Sequence, residues 1–212
     1  MHHGCHQGER ANQFEPRILI LGESHHTSDG ENSKPGVPAT YATSDVVKRY
    51  LENYESATGR DPAYRFFDNI VAAFGFDPSI DREAFWKTVY FGNYIDVLCG
   101  VRDSAASKVL AETGKREELN NQLFSFVEQH QIDVIFCFSR KVYNKLPPLE
   151  DGDTIIPADT RDSHRLEVCA YRAGKRNYGG LALSKDLTVY GLKHPSQGFS
   201  YHKYASKLKE IL

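Results

Sequence analysis

Short apolar runs alternate along this chain with longer stretches in which apolar residues recur at helical spacing. Residues 17–21 (R-I-L-I-L) are β-branched and aliphatic and stop at Gly22, the pattern of a buried central strand. Val89-Tyr90-Phe91 reads as a second strand ending at Gly92-Asn93-Tyr94, residues 134–138 as a third, and residues 189–192 as a fourth that runs into His194. A helix is predicted near residues 45–54. Asp61-Pro62, an N-cap followed by proline at the first helical position, opens another that runs to about Phe74 and is stopped by Gly75. Leu119, Leu123 and Val127 recur at helical spacing before the third strand, and a last helix starts near Tyr201. Residues 1–13 are polar and precede any periodic pattern, so they read as a flexible tail. Residues 27–43, rich in Ser, Pro, Gly and Thr, read as a long excursion with the character of a lid.

Strands alternating with helices predict an α/β fold, three layers (α/β/α) around a central, mainly parallel sheet of about four strands. One domain spans residues 14–212, with no internal repeat. Ligands of such sheets bind at the carboxyl ends of the strands. Three of the four predicted strands end on chemically capable residues: the loop Gly22-Glu23-Ser24-His25-His26, Asn93, and His194-Pro195-Ser196. The remaining one ends at Ser139-Arg140.

A chain of 212 residues, 40% of them apolar, can bury a sizeable core without covalent staples. Cys5, Cys99, Cys137 and Cys169 lie far apart with no C-x-x-C pair, which indicates neither a zinc site nor a disulfide framework and points to a reducing cytosol. His2, His3, Cys5 and His6 are read as part of a frayed terminus in preference to a metal site. No apolar run approaches the roughly 20 residues that cross a bilayer, and the N-terminus lacks a signal-peptide core, so a cytoplasmic protein is expected. The net charge of -2 argues against a bulk polyanion binder, yet the charge is uneven. Residues 160–209 hold ten basic residues against three acidic ones, which makes the C-terminal part the candidate phosphate-facing side.

The order of these elements resembles the uracil-DNA glycosylase superfamily from about Arg17 onward. In that family a first strand ends in a short G-x-x-P-type loop, an aromatic follows ahead of a helix, a second strand ends in Asn, and a late strand ends in H-P-S. The similar elements here are Gly22-Glu23-Ser24-His25, Phe66-Phe67 in Y-R-F-F-D-N-I-V, Asn93 in V-Y-F-G-N-Y, and His194-Pro195-Ser196. The run I-D-V-I-F-C-F-S-R-K-V-Y-N-K-L is also similar to the family's late strand and following helix.

The resemblance implies a DNA glycosylase, an enzyme that takes a deaminated or modified base out of the stack and hydrolyses its N-glycosidic bond. Asn93 would read the base edge with its carboxamide, and Phe66 or Phe67, one of the two, would stack on the base. His194 would donate to the base oxygen that becomes anionic. Ser196, Lys193 and Lys203 would hold phosphates, with Gln197-Gly198-Phe199 entering the gap and Phe199 as a wedge. The pattern departs from the family in the first loop, where Ser24 and His25 stand at positions that many relatives fill with Asp or Asn and with Pro. Glu23 or His25 is then left to orient or deprotonate water, and a base other than plain uracil is admitted. The iron–sulfur branches of the family need a cysteine quartet with a close pair, which the four cysteines do not form, so no cofactor is expected. DNA, double- or single-stranded, is the implied partner and a monomer the default state.

Two other readings stand beside this one. I-L-I-L-G-E-S-H also resembles the opening block of SGNH-type esterases, with Ser24 as nucleophile, His194 as base and Asn93 in the oxyanion hole. Against it, no carboxylate precedes His194 in Tyr190-Gly191-Leu192-Lys193, and Tyr94 follows Asn93 where that family has Asp. The other is a non-catalytic nucleic-acid-binding domain on the same fold.

Overall fold

The four apolar runs become the strands β2 (Ile18–Gly22), β4 (Tyr90–Asn93), β6 (Val134–Cys137) and β11 (Leu187–Gly191) of a computed structural model. It describes residues 5–26, 42–52, 64–95, 98–99, 104–149, 153–156, 161–174, 177–178, 181–196 and 198–212. The remaining strands are β1 (His6–Gln7), β3 (His25–His26), β5 (Leu98–Cys99), β7 (Thr154–Ile156), β8 (Glu167–Tyr171), β9 (Asn177–Tyr178) and β10 (Leu181–Ala182). The helices are α1 (Ala42–Glu52), α2 (Arg65–Ala73), α3 (Arg82–Trp86), α4 (Ser104–Ala111), α5 (Thr113–His130), α6 (Arg140–Tyr143) and α7 (Tyr201–Leu208). Asp61-Pro62 and residues 27–41 of the expected excursion lie outside the described residues.

The main sheet has seven strands in the order β1-β4-β2-β6-β11-β8-β7, not about four. The four expected strands form its parallel centre, and β1, β8 and β7 add antiparallel strands at the two sides. Strand β7 is exposed along its whole length, and β8 (E-V-C-A-Y) mixes charge with small side chains, so neither has the apolar run that marks a central strand. Register pairs Gly22 with Asn93, Leu21 with Cys137, and Cys137 with Gly191. All four parallel strands therefore end at one level, and the loops that follow them converge.

The expectation of a flexible tail over residues 1–13 is corrected for residues 5–13. Strand β1 pairs with β4, the Gly8 N–H donates to Val89 O at 3.1 Å, the Arg10 N–H donates to Lys87 O at 2.8 Å, and Ala11 is fully buried. A segment without apolar period is held here by backbone hydrogen bonds, which leave no mark in side-chain pattern.

Alternation along the strands divides the core into two layers. Leu19, Leu21, Ile135 and Val189 face α4 and α5, through Ala106, Leu119, Leu123 and Val127. Ile20, Phe91, Phe136 and Leu192 face α1, α2, α3 and α7, through Tyr50, Phe67, Trp86 and Tyr204. Helices thus cover both faces of the sheet. Among the described residues no helix is long and apolar enough to cross a membrane.

Candidate functional site

The end of β2 is fixed by the absence of a side chain. A Cβ on Gly22 would collide with Asn93 Oδ1 and lie 3.6 Å from Phe91 Cε2, so only glycine lets the carboxamide fold over the strand end. The ladder continues beyond the strands: the Tyr94 N–H donates to Gly22 O and the Ile95 N–H to Glu23 O, both at 3.0 Å. Phe91 and Asn93, two apart on one strand, point to the same face. There the Phe91 ring lies 6.2 Å from that of Phe66, and Phe66 lies 5.4 Å from the His194 ring. A chain of ring contacts thus runs from the buried Phe91 through half-buried Phe66 to half-buried His194 on the side of α2 and α7, and half-buried Asn93 stands on the same face of β4.

The two adjacent phenylalanines separate. Phe67 is 5% exposed and packs against Tyr50, Trp86 and Phe91 at 5.1, 5.6 and 5.7 Å, which makes it a core residue and not a stacking platform. Phe66 is half-buried. One helical turn on, the Asn69 carboxamide donates to Pro195 O at 3.2 Å, so α2 presents Phe66 and Asn69 together to the His194-Pro195 segment.

Glu23 belongs to a neighbouring cluster. Its Oε2 accepts the Ser139 hydroxyl at 2.7 Å and its Oε1 lies 3.9 Å from Lys141 Nζ, in an environment that leaves the residue 8% exposed. Ser139 also caps α6, accepting the Val142 N–H at 3.3 Å. The strand end that the sequence set apart, Ser139-Arg140, is thus joined to the Gly22 loop. Beside it, burial chiefly pushes the Cys137 thiol up to about 12, with the Glu23 carboxylate adding to the effect. That thiol stays protonated and is no nucleophile. Ser24 is half-buried. The His25 backbone pairs with Leu98, and its side chain lies outside the described residues.

After β11 the chain makes a bonded turn. The Lys193 N–H donates to Tyr204 Oη at 3.0 Å, Lys193 Nζ donates to Gly198 O at 2.8 Å, and the Ser196 and Phe199 N–H groups donate to His194 O and Ser196 O at 2.8 and 3.0 Å. Ser196 and Lys203 are exposed, and Gln197 lies outside the described residues. Phe199 does not project as a wedge: its ring stacks on Tyr204 at 4.9 Å and approaches Phe138 at 6.2 Å, because two aromatic faces are available beneath it. Asn69, His164 and Tyr204, bonded to Pro195 O, Gly198 O and the Lys193 N–H, support the site without having been marked in the sequence. Ser139, by contrast, stands at the end of a predicted strand.

The basic C-terminal stretch divides between the two ends of the sheet. Arg172 and Lys185 flank the antiparallel pair at the far end and are bonded to Asp186 and Asp133. Lys193, Lys203, Arg165 and Lys207 lie toward the His194 loop, where Arg165 bonds Glu167 at 2.8 Å and Lys207 bonds Asp162. Among the described residues no group of His, Cys, Asp and Glu is placed to hold a metal ion. Compared with known proteins, the chain matches no family model and no curated sequence.

Proposed function

We propose that the protein is a DNA glycosylase acting on a deaminated or modified base. The observation that supports this best is that half-buried Phe66 lies beside the His194 ring at 5.4 Å and, through buried Phe91, on the face of β4 that carries Asn93, at the carboxyl ends of parallel strands. An extruded base needs an edge reader and a flat ring, and an imidazole beside them can donate to charge that develops on the base. The base stacks on Phe66, and Asn93 offers its amide donor and acceptor to the Watson–Crick edge. As the bond between C1′ and the base nitrogen breaks, its electron pair passes to the base. A donor N–H of His194 stabilises the oxygen on which the charge collects. Water adds to C1′ and loses its proton to the Gly22 loop. Glu23 is the proposed acceptor, since one carboxylate oxygen holds Ser139 and the other retains lone pairs for water. Lys193, Ser196 and Lys203 approach the flanking phosphates.

Duplexes carrying a panel of deaminated and modified bases, incubated with the protein and then treated with alkali, test this reading. The expected result is a strand break at one class of base, retained in Ser24→Ala and accompanied by no labelling with a serine-directed phosphonate. A phosphonate adduct that disappears in Ser24→Ala, with no break at any base, would replace it by the esterase reading.

A further inference from the structure

Beneath the loop that follows His194 lies a buried imidazole to which the proposed chemistry gives no part. His164 is 7% exposed, with Nε2 3.2 Å from Gly198 O and 3.1 Å from Ser200 N, and Nδ1 3.0 Å from Ser163 Oγ. A single ring nitrogen cannot serve both backbone groups. To accept the Ser200 N–H it must be bare, and to donate to Gly198 O it must bear a proton. The Gly198 carbonyl also has another donor, Lys193 Nζ at 2.8 Å, and the positive φ of Gly198 (76°) belongs to the turn that aims it.

The two protonation states therefore bond the turn differently. On the neutral ring the proton sits on Nδ1 and is donated to Ser163, Nε2 accepts from Ser200, and Lys193 serves Gly198 O. On the protonated ring Nε2–H donates to Gly198 O, the Ser200 N–H loses its acceptor, and two cations meet at one carbonyl. We infer that His164 is a positioning residue for the His194 loop which exchanges with Lys193 at the Gly198 carbonyl, so that a phosphate drawing Lys193 away is bound together with a proton at His164. The inference rests on the proposed phosphate-facing role of that loop.

The charged and titratable neighbours fit this exchange. Asp162 accepts the His164 N–H at 2.8 Å and is bonded by Lys207, whose ammonium also donates to His164 O at 2.9 Å. From α7 the Tyr204 ring lies against the imidazole at 5.6 Å, and Lys203 adds positive charge, as Lys193 does from the end of β11. Arg165, the next residue in the chain, is turned to Glu167. Burial first, then Lys203 and Lys193, hold the imidazole below its ordinary value against the Gly198 carbonyl and Asp162. A phosphate that engages Lys193 removes part of that opposition and raises the proton affinity. By linkage, phosphate binding strengthens as pH falls through the range below the ordinary histidine value.

The test follows the His164 ring protons by NMR against pH in the wild type and in Lys193→Met. Each is measured alone, with sulfate as a tetrahedral anion that does not titrate in this range, and with a short duplex oligonucleotide. Expected are a higher His164 midpoint in Lys193→Met, a rise on adding sulfate to the wild type, and no such rise in the variant. Duplex affinity should strengthen about threefold to tenfold from about pH 7.5 to 5.5. His164→Gln, whose side-chain oxygen accepts the Ser200 N–H but does not titrate, should keep the neutral-pH affinity and lose most of that gain. A His164 midpoint indifferent to sulfate, or equal pH dependence in wild type and His164→Gln, would overturn the inference. If sulfate moves His164 while no duplex binds, the exchange stands and the nucleic-acid reading fails.

Discussion

Phe66 and Phe67 are neighbours in sequence with opposite fates. They project about 100° apart around α2, and sequence pattern registers both as apolar. Which one enters the core is decided by Tyr50, Trp86 and Phe91, contributed by three other elements. Phe67→Ala is expected to cost about 3–5 kcal/mol of stability in urea denaturation. Phe66→Ala should cost much less stability and lower base excision. Glu23 poses a second question at this scale. Glu23→Gln keeps an acceptor for the Ser139 hydroxyl but has no base, so excision is expected to fall by about 10²–10⁴ with little change in the unfolding midpoint. Full excision by this variant would leave Glu23 as a brace between β2 and β6. The site's polar residues were legible because each stands at the end of an apolar run. Asn69 and His164 were not, because their partners, Pro195 O and Gly198 O, lie 126 and 34 residues away.

At the scale of elements, the parallel centre could be read because β2, β4 and β6 are buried almost throughout and appear as continuous apolar runs, while β11, whose burial alternates, still carries Leu187 and Val189 inward. The antiparallel strands could not, since β1 is two residues long in a polar segment and β7 has no buried face. Strand β1 nevertheless contributes. Deletion of residues 1–13 removes the hydrogen bonds to Val89 O and Lys87 O and uncovers the edge of β4. A loss on the order of 2 kcal/mol is expected in chemical denaturation; an unchanged midpoint would restore the flexible-tail reading.

At the scale of the molecule, charge governs two behaviours. Burial holds His6 and His164 below the ordinary histidine value, so the unfolded chain binds protons more readily than the native one below about pH 6.5. Stability should decline as pH falls through that range. In stronger acid, Asp162, held at about 2 chiefly by the Lys207 hydrogen bond, contributes stability that is present above its ordinary value of 3.8 and disappears as pH falls toward 2. Thermal unfolding followed against pH checks both declines. Phosphate contacts through Lys193 and Lys203 would make duplex affinity fall with salt, and removing both lysines should reduce the slope of log affinity on log salt by about 2. The basic excess of the C-terminal stretch overstated this surface, because sequence cannot show that Arg172 and Lys185 stand at the other end of the sheet, already paired.

Uptake of a base by Asn93, Phe66 and His194 is the core of the proposed activity. Its most direct test is mass-spectrometric detection of free base released from duplexes containing each deaminated or modified base in turn, by the wild type and by Asn93→Ala. Release of one class of base by the wild type, and of little or none by the variant, is expected. Release of no base from any duplex by the folded wild type would contradict it.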